Sequence, residues 1–303
     1  MKLKLKTKAW VHAARLRTLP LALSGIILAS LIAFYQDKFH WDIFILAIIT
    51  TLLLQILSNL ANDYGDYSHG TDNENRVGPE RAVQSGIISP KEMKRAIYLI
   101  GLLAFHSGMF LLTASLDQIF DYVFILFLIT GLVGIGSAIK YTIGKKPFGY
   151  KGFGDIMVFI FFGIAAVSGT HFLHTLSVDL ILLLPASAVG LLSAGVLNVN
   201  NMRDIVNDKE SNKITLAVRL GRTNSKIYHT FLIVLSLGLL SIYLFIIGKP
   251  LAVASLIVPA LPLIIHIVKI ITTKEPKNLD PELKRLSLST LFISIWVGIS
   301  LFF

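Results

Sequence analysis

Nine long apolar runs constrain this chain more than anything else in it. They lie near residues 18–35, 42–61, 96–115, 121–139, 154–174, 178–200, 227–247, 250–271 and 286–303. Each is long enough to cross a hydrocarbon core of about 30 Å as a helix, and in lipid a helix satisfies its own backbone hydrogen bonds. The expected fold is an all-α integral membrane protein, a bundle of about nine transmembrane helices forming a single domain over 1–303. Little more than Gly248-Lys249-Pro250 parts the seventh run from the eighth, which reads as a tight hairpin turn. Only 15% of residues are charged, against roughly a quarter in soluble domains. Cysteine is absent, which excludes disulfides, thiolate nucleophiles, Cys-ligated zinc and iron–sulfur centres.

The net charge of +10 admits nucleic acid, anionic lipid or an anionic substrate as partners. The positions of the charges decide between them. Nine spans divide the connections into two sets. The N-terminal tail and the loops near 62–95, 140–153, 201–226 and 272–285, with Lys269 counted in the last, carry all but two of the 28 Lys and Arg, the exceptions being Lys38 and Lys249. By the positive-inside rule this set is cytoplasmic. Of the acids, Asp37, Asp42, Asp117, Asp121 and Asp179 fall on the other side. The basic balance is thus largely membrane topology, and no nucleic-acid partner is expected. The expected location is the plasma membrane, multi-pass, with the N-terminus in the cytoplasm. Met1-Lys-Leu-Lys-Leu-Lys6 before an apolar run resembles a signal peptide, but the run is long and lacks a small-x-small cleavage site, so it reads as a retained span.

The two most polar cytoplasmic loops follow the second and sixth spans. This spacing suggests four-helix repeats over about 18–150 and 151–271, with a ninth helix at 286–303, and sites in such proteins lie between repeats. Each of the two loops opens on an acidic cluster that starts inside its apolar span. The first runs Asn59-Leu-Ala-Asn62-Asp63-Tyr-Gly-Asp66 and on to Asp72; the second runs Asn198-Val-Asn-Asn201-Met-Arg-Asp204-Ile-Val-Asn-Asp208. Asn62 and Asp66 are four apart, and Asn201, Asp204 and Asp208 are spaced by three and four, so each set falls on one helix face. Such residues can simply cap helices emerging into water. Two stripes on the same side of the membrane favour a second reading, because hard oxygen ligands suit Mg²⁺ (or Mn²⁺) shared with substrate phosphates, and acids at membrane depth are costly. Arg76, Arg81, Lys140 and Lys213 lie close by in sequence, as expected around a ligand carrying several negative charges.

These residues carry a resemblance over nearly the whole chain. The sequence resembles the UbiA superfamily of intramembrane prenyltransferases, and within it the menaquinone-pathway branch that prenylates dihydroxynaphthoate. Four stretches support this: Arg15-Leu-Arg-Thr-Leu-Pro20; Asn62-Asp-Tyr-Gly-Asp66 with Gly70-Thr-Asp72 and Arg76-Val-Gly-Pro; Tyr141-Thr-Ile-Gly-Lys-Lys-Pro-Phe-Gly-Tyr-Lys-Gly-Phe-Gly-Asp155; and Asn200-Asn-Met-Arg-Asp204 leading to Lys213-Ile-Thr-Leu-Ala-Val-Arg-Leu-Gly221. One departure from the general pattern is Gly70, where a third acid is expected; the acid stands at Asp72 instead, as in that branch.

The resemblance implies helices around a central apolar chamber and the substrates polyprenyl diphosphate and 1,4-dihydroxy-2-naphthoate. The product would be demethylmenaquinone, with loss of diphosphate and carbon dioxide. It implies that Asn62, Asp63, Asp66, Asp72, Asn201, Asp204 and Asp208 hold Mg²⁺ and that Arg76, Arg81, Lys140 and Lys213 meet the diphosphate. Tyr141 and Asp155 would meet the acceptor, Asp155 alternatively being only the N-cap of the fifth span. Asp66, Asp204, Asp208, Lys140 and Tyr141 would carry the catalysis. His12, His69, His106 and His171 are scattered and read as no ligand set. Members of the superfamily acting on hydroxybenzoate, homogentisate or haem are the alternative. A cation-coupled transporter also fits buried acids and repeats, but these acids gather at one face beside basic loops.

Topology is directly testable, since any introduced cysteine is unique. Cysteines at Lys146, Asp208 and Lys277 should resist an impermeant thiol reagent applied to intact cells, while those at Lys38 and Lys249 should react. External labelling at position 208 would overturn the span count.

Overall fold

The computed structural model describes residues 2–72, 77–78, 80–116 and 121–303; Arg76 and Asp117 lie outside them. Among the described residues, nine helical segments are long and apolar enough to span a membrane: Leu5–Tyr35, Trp41–Ser68, Pro90–Ser115, Tyr122–Lys140, Gly154–Thr175, Leu180–Arg203, Leu216–Ile246, Pro250–Thr272 and Pro276–Ser300. The described chain contains no strand. The fold is all-helical and multi-pass, as the apolar runs require.

Several helices outrun their apolar cores, and these extensions build the site. At 28 residues the second span is about 42 Å long, well over the roughly 30 Å of hydrocarbon. Its last turns, with Asn62, Asp63 and Asp66, therefore emerge beyond the lipid core at one face. The first span is interrupted between a helix ending at Ala13 and another starting at Leu19. Arg15 takes a left-handed backbone there (φ 49°). In the second cluster the expected single helix face is broken. The sixth span ends at Arg203, Asp204 adopts φ −95° and ψ 9°, and a short helix Ile205–Glu210 follows. The Asp208 amide still donates to the Asp204 carbonyl at 2.8 Å, so the acids stay on adjacent turns across a kink. The seventh span likewise absorbs much of the expected loop near 201–226, with a break at Gly221 (φ 72°). Gly248 supplies the positive φ of the hairpin before the eighth span.

The sixth span is the most enclosed and the fourth the least. Lipid tails are as apolar as Leu, so close packing, not withdrawal from water, holds the spans together. Spans five and six touch backbone to backbone: a Cβ on Gly163 would lie 2.5 Å from the Ala186 carbonyl oxygen and 2.6 Å from the Gly190 Cα. The fifth span is a π-helix over Phe159–Ala165 at this crossing. The main core joins Leu28, Ile32, Leu192, Ile233, Leu286 and Val297.

Spans seven, eight and nine are also tied by a buried polar chain that periodicity does not reveal. His229 Nε2 and His266 Nε2 lie 2.9 Å apart, His266 Nδ1 sits 2.7 Å from Glu282 Oε2, and Arg285 donates to the other Glu282 oxygen. Both imidazoles are fully buried. Removing His266 leaves Glu282 Oε2 and the His229 ring without a buried hydrogen-bond partner, a cost of about 1–3 kcal/mol per unsatisfied group. His266→Leu should therefore lower the melting temperature of the detergent-purified protein by many degrees, and His266→Gln by less. Equal melting temperatures for His266→Leu and the unchanged protein would contradict this role.

Candidate active site

The last turns of the second span and the kinked end of the sixth meet at one face of the bundle. Asp66 is the junction. Its carboxylate accepts from the Tyr150 hydroxyl at 2.8 Å, pairs with Arg81 Nη2 at 3.1 Å and lies 3.5 Å from Lys213 Nζ. Lys213 is also 3.7 Å from Asp208 Oδ1, so one ammonium bridges the two acidic clusters. The chain turns back to allow this at Asn212, which is left-handed (φ 56°), a conformation Asn tolerates at helix ends. The Lys213 amide then donates to the Asp208 carbonyl at 2.8 Å, and the ammonium sits 5.3 Å over the Tyr150 ring. Two further bonds close the seam. Tyr150 oxygen is 2.7 Å from Thr71 Oγ1, and Asn207 Nδ2 donates to the Thr71 carbonyl at 2.9 Å.

Arg81 collects the remaining acids of the first cluster. It reaches Asp63 at 2.9 Å and Asp72 at 3.3 Å, and Asp63 also takes Arg15 at 2.7 Å. The left-handed turn at Arg15 thus places a cation from the first span on the second. Across the site, Arg203 forks onto both oxygens of Asp204 at 2.9 and 2.6 Å. Beside these groups is a cavity of about 470 Å³ lined by Lys8, His12, Arg15, Arg17, Arg81 and Arg203 around Asp63.

Burial and neighbouring charge compete at each group. Desolvation favours neutral Lys213, but Asp66 and Asp208 outweigh it and hold its pKa above the usual lysine range. Arg81 behaves alike among Asp63, Asp66 and Asp72. Burial pushes the Asp208 carboxyl up to about 7 despite Lys213, with Asp204 and Asp66 adding to the rise. The Tyr141 and Tyr150 hydroxyls are raised chiefly by burial and stay protonated as donors.

The expected residues do not all converge. Asp63, Asp66, Asp72, Arg81, Lys213 and Asp208 belong to one connected cluster, while Asn201 is buried on the sixth span. Asn62 accepts from Thr142 at 3.2 Å. Lys140 does not join them: it ends the fourth span exposed, without an ion pair to any described residue. Asp155 is not the N-cap of the fifth span, a position held by Phe153 without a side-chain bond. It lies buried in the first turn, with Tyr228 donating to it at 3.4 Å. Tyr141 sits where Gly149 and Gly154 leave room; a Cβ on Gly154 would come 2.9 Å from its oxygen. Its ring lines a nearly all-apolar chamber of about 480 Å³ among spans one to five, with Ile26, Leu54, Ala104, Phe127 and Phe161.

Sequence reasoning missed Arg15, Tyr150, Arg203 and Tyr228. Arg15 and Tyr150 stand inside stretches already singled out, but only the backbone turn and the loop's return reveal their contacts.

The sequence profile of the UbiA prenyltransferase family matches residues 22–296. The chain belongs to the UbiA prenyltransferase family. It is 41% identical to the 1,4-dihydroxy-2-naphthoate octaprenyltransferase of Haemophilus influenzae, over 98% of this chain and 96% of that one. Its fold is similar to a UbiA homolog from Aeropyrum pernix K1 (TM-score 0.65, 18% identity, 95% and 96% of the two chains). It is also similar to a UbiA homolog from Archaeoglobus fulgidus bound to DMAPP and Mg²⁺ (TM-score 0.59, 16% identity, 92% and 98%). This UbiA-family chain is therefore a membrane-embedded prenyltransferase, and the acid–base cluster near Tyr141 is its candidate active site.

The Tyr150 hydroxyl orients Asp66, and hydrogen bonds to charged groups contribute about 1.5–3 kcal/mol. Tyr150→Phe should reduce prenyl transfer roughly tenfold to a hundredfold with little change in melting temperature. An unchanged rate would show that Asp66 needs no such support.

Proposed function

We propose that this enzyme transfers a polyprenyl group from polyprenyl diphosphate to 1,4-dihydroxy-2-naphthoate, releasing diphosphate and carbon dioxide and forming demethylmenaquinol, the two-electron-reduced form of demethylmenaquinone. The observation that carries this reading is the Lys213 bridge between Asp66 and Asp208 beside an apolar chamber. It joins a diphosphate-sized set of charges to a space suited to an isoprenoid. The acceptor assignment is supported by the Haemophilus relative, and the metal by the Archaeoglobus homolog, whose structure holds Mg²⁺ and DMAPP.

The donor set suits Mg²⁺. Asp208 Oδ2 is buried and has no hydrogen-bond partner, as a carboxylate awaiting a cation would. Among the described residues no three His, Asp or Glu side chains make a metal site by themselves. A divalent ion here would need amide oxygens and substrate phosphates to complete its shell. Asp66, Asp204 and Asp208 with Asn62 and Asn201 would hold it, and Asp72 stands next to them. Asp63, already taken by two guanidinium groups, serves to hold Arg15 and Arg81. Held by these residues, Mg²⁺ would supply positive charge for the diphosphate leaving group.

The chain's own residues do the rest. Arg81 and Lys213 meet the diphosphate, with Arg76 a further candidate, and stabilise the charge that develops as the allylic C–O bond breaks. The chamber holds the tail and keeps water from the allylic cation. Tyr141, as a neutral donor, and Asp155 orient the acceptor. The ring carbon bearing the carboxylate forms the new C–C bond, and loss of that carboxylate as carbon dioxide restores aromaticity without an added proton. The reading places the site on the cytoplasmic side of the plasma membrane, between two four-helix units.

Asp66→Asn and Asp204→Asn keep shape but remove a charge, and each should cut the maximal rate by about two to four powers of ten, roughly 3–5 kcal/mol. Tyr141→Phe should mainly raise the KM for the acceptor. Near-native turnover in folded Asp66→Asn and Asp204→Asn proteins would refute the metal site.

A further inference from the structure

Arg203 is among the most enclosed charged groups in the molecule, at 1% exposure, and it does not reach the diphosphate cluster directly. Its guanidinium is divided between two acids. One edge forks onto Asp204, and Nη2 also donates to Asn200 at 3.0 Å. Nη1 donates to Asp280, the first residue of the helix in the ninth span. Asp280 in turn takes Arg17 from the first span at 3.1 Å. Asp204, Arg203, Asp280 and Arg17 thus form an alternating chain of charges joining spans six, nine and one behind the metal-binding face.

We propose that Asp280 is a positioning residue for Asp204, acting through Arg203, and that it sets the affinity of the site for its divalent cation. The proposal rests on the assignment of Asp204 to the metal site. A guanidinium this deeply buried needs compensating negative charge. With Asp280 in place, Arg203 is balanced from its far side. Asp204 is then oriented by two hydrogen bonds yet keeps negative charge for a cation. Hydrogen-bonded supports behind a ligating carboxylate commonly change metal affinity by about 10–100-fold when removed. Without the Asp280 charge, Arg203 leans on Asp204 alone and competes with the cation. Arg17 opposes this: it draws on Asp280, so its removal strengthens the pull of Asp280 on Arg203.

The test uses the full chain in detergent with geranyl diphosphate and no acceptor, so that nothing turns over. Mg²⁺ is titrated, and the concentration giving half of the thermal stabilisation is read. Asp280→Asn should raise this midpoint about tenfold, Arg17→Gln should lower it, and Asp280→Glu, which keeps the charge, should stay near the unchanged protein. The shift should persist in about 1 M salt, where the Debye length is near 3 Å. In turnover assays Asp280→Asn should raise the Mg²⁺ requirement and leave the KM for the acceptor unchanged. A wild-type Mg²⁺ midpoint in Asp280→Asn, a shift abolished by salt, or a loss of melting temperature alone would overturn the proposal. If Asp280→Asn does not fold, Arg17→Gln decides, and an unchanged or raised midpoint in it would overturn the proposal. An unchanged protein indifferent to Mg²⁺ would instead overturn the metal assignment, and this proposal with it.

Discussion

An ammonium buried between two carboxylates from opposite halves of the chain, Lys213 between Asp66 and Asp208, is the contact on which the rest of this site depends. Each acid alone would be costly at the edge of a membrane. Together with Arg81 and Lys213 they become a nearly neutral, water-poor cluster whose charges are fixed before any substrate arrives. Preorganisation of this kind is what electrostatic catalysis requires. The long second span and the left-handed residues Arg15 and Asn212 serve to bring the charges to that point.

The same balance explains why charge and chamber adjoin but do not mix. The chamber among spans one to five is lined almost wholly by apolar groups with no charged residue, and Tyr141 on its wall feels the field of Lys213, Asp155, Asp66 and Asp208. An isoprenoid diphosphate has the same division, an apolar tail with a highly charged head. The reactive carbon lies where the two environments meet, so a protein of this shape can stabilise the leaving group and shield the cation in one geometry.

The nine spans and the two acidic stretches were legible because lipid imposes length and hydropathy on each helix, and because acids at a span end stand out against it. The pairing of the stretches was implied by their shared face, but its agent was not: Lys213 reaches Asp66 only because the chain reverses at Asn212. Lys140 looked equivalent to Lys213 in sequence and turned out exposed, since periodicity at a helix end does not say which way the last side chain turns. The Arg203–Asp280 pair and the His229–His266–Glu282 chain depend on contacts between distant spans, which no local pattern encodes. The 81-residue separation of Thr142 from the Ala61 carbonyl it bonds is of the same kind.

Coupled measurement of both leaving groups bears most directly on the claim that the two acidic stretches form one metal-assisted site for prenyl transfer with decarboxylation. Purified protein in lipid nanodiscs would receive a polyprenyl diphosphate and dihydroxynaphthoate labelled in its carboxyl group, with Mg²⁺ or with excess chelator. The account predicts diphosphate and labelled carbon dioxide released one for one with Mg²⁺, and neither after chelation. Turnover that survives chelation, or prenylated product that keeps the labelled carboxyl, would contradict it.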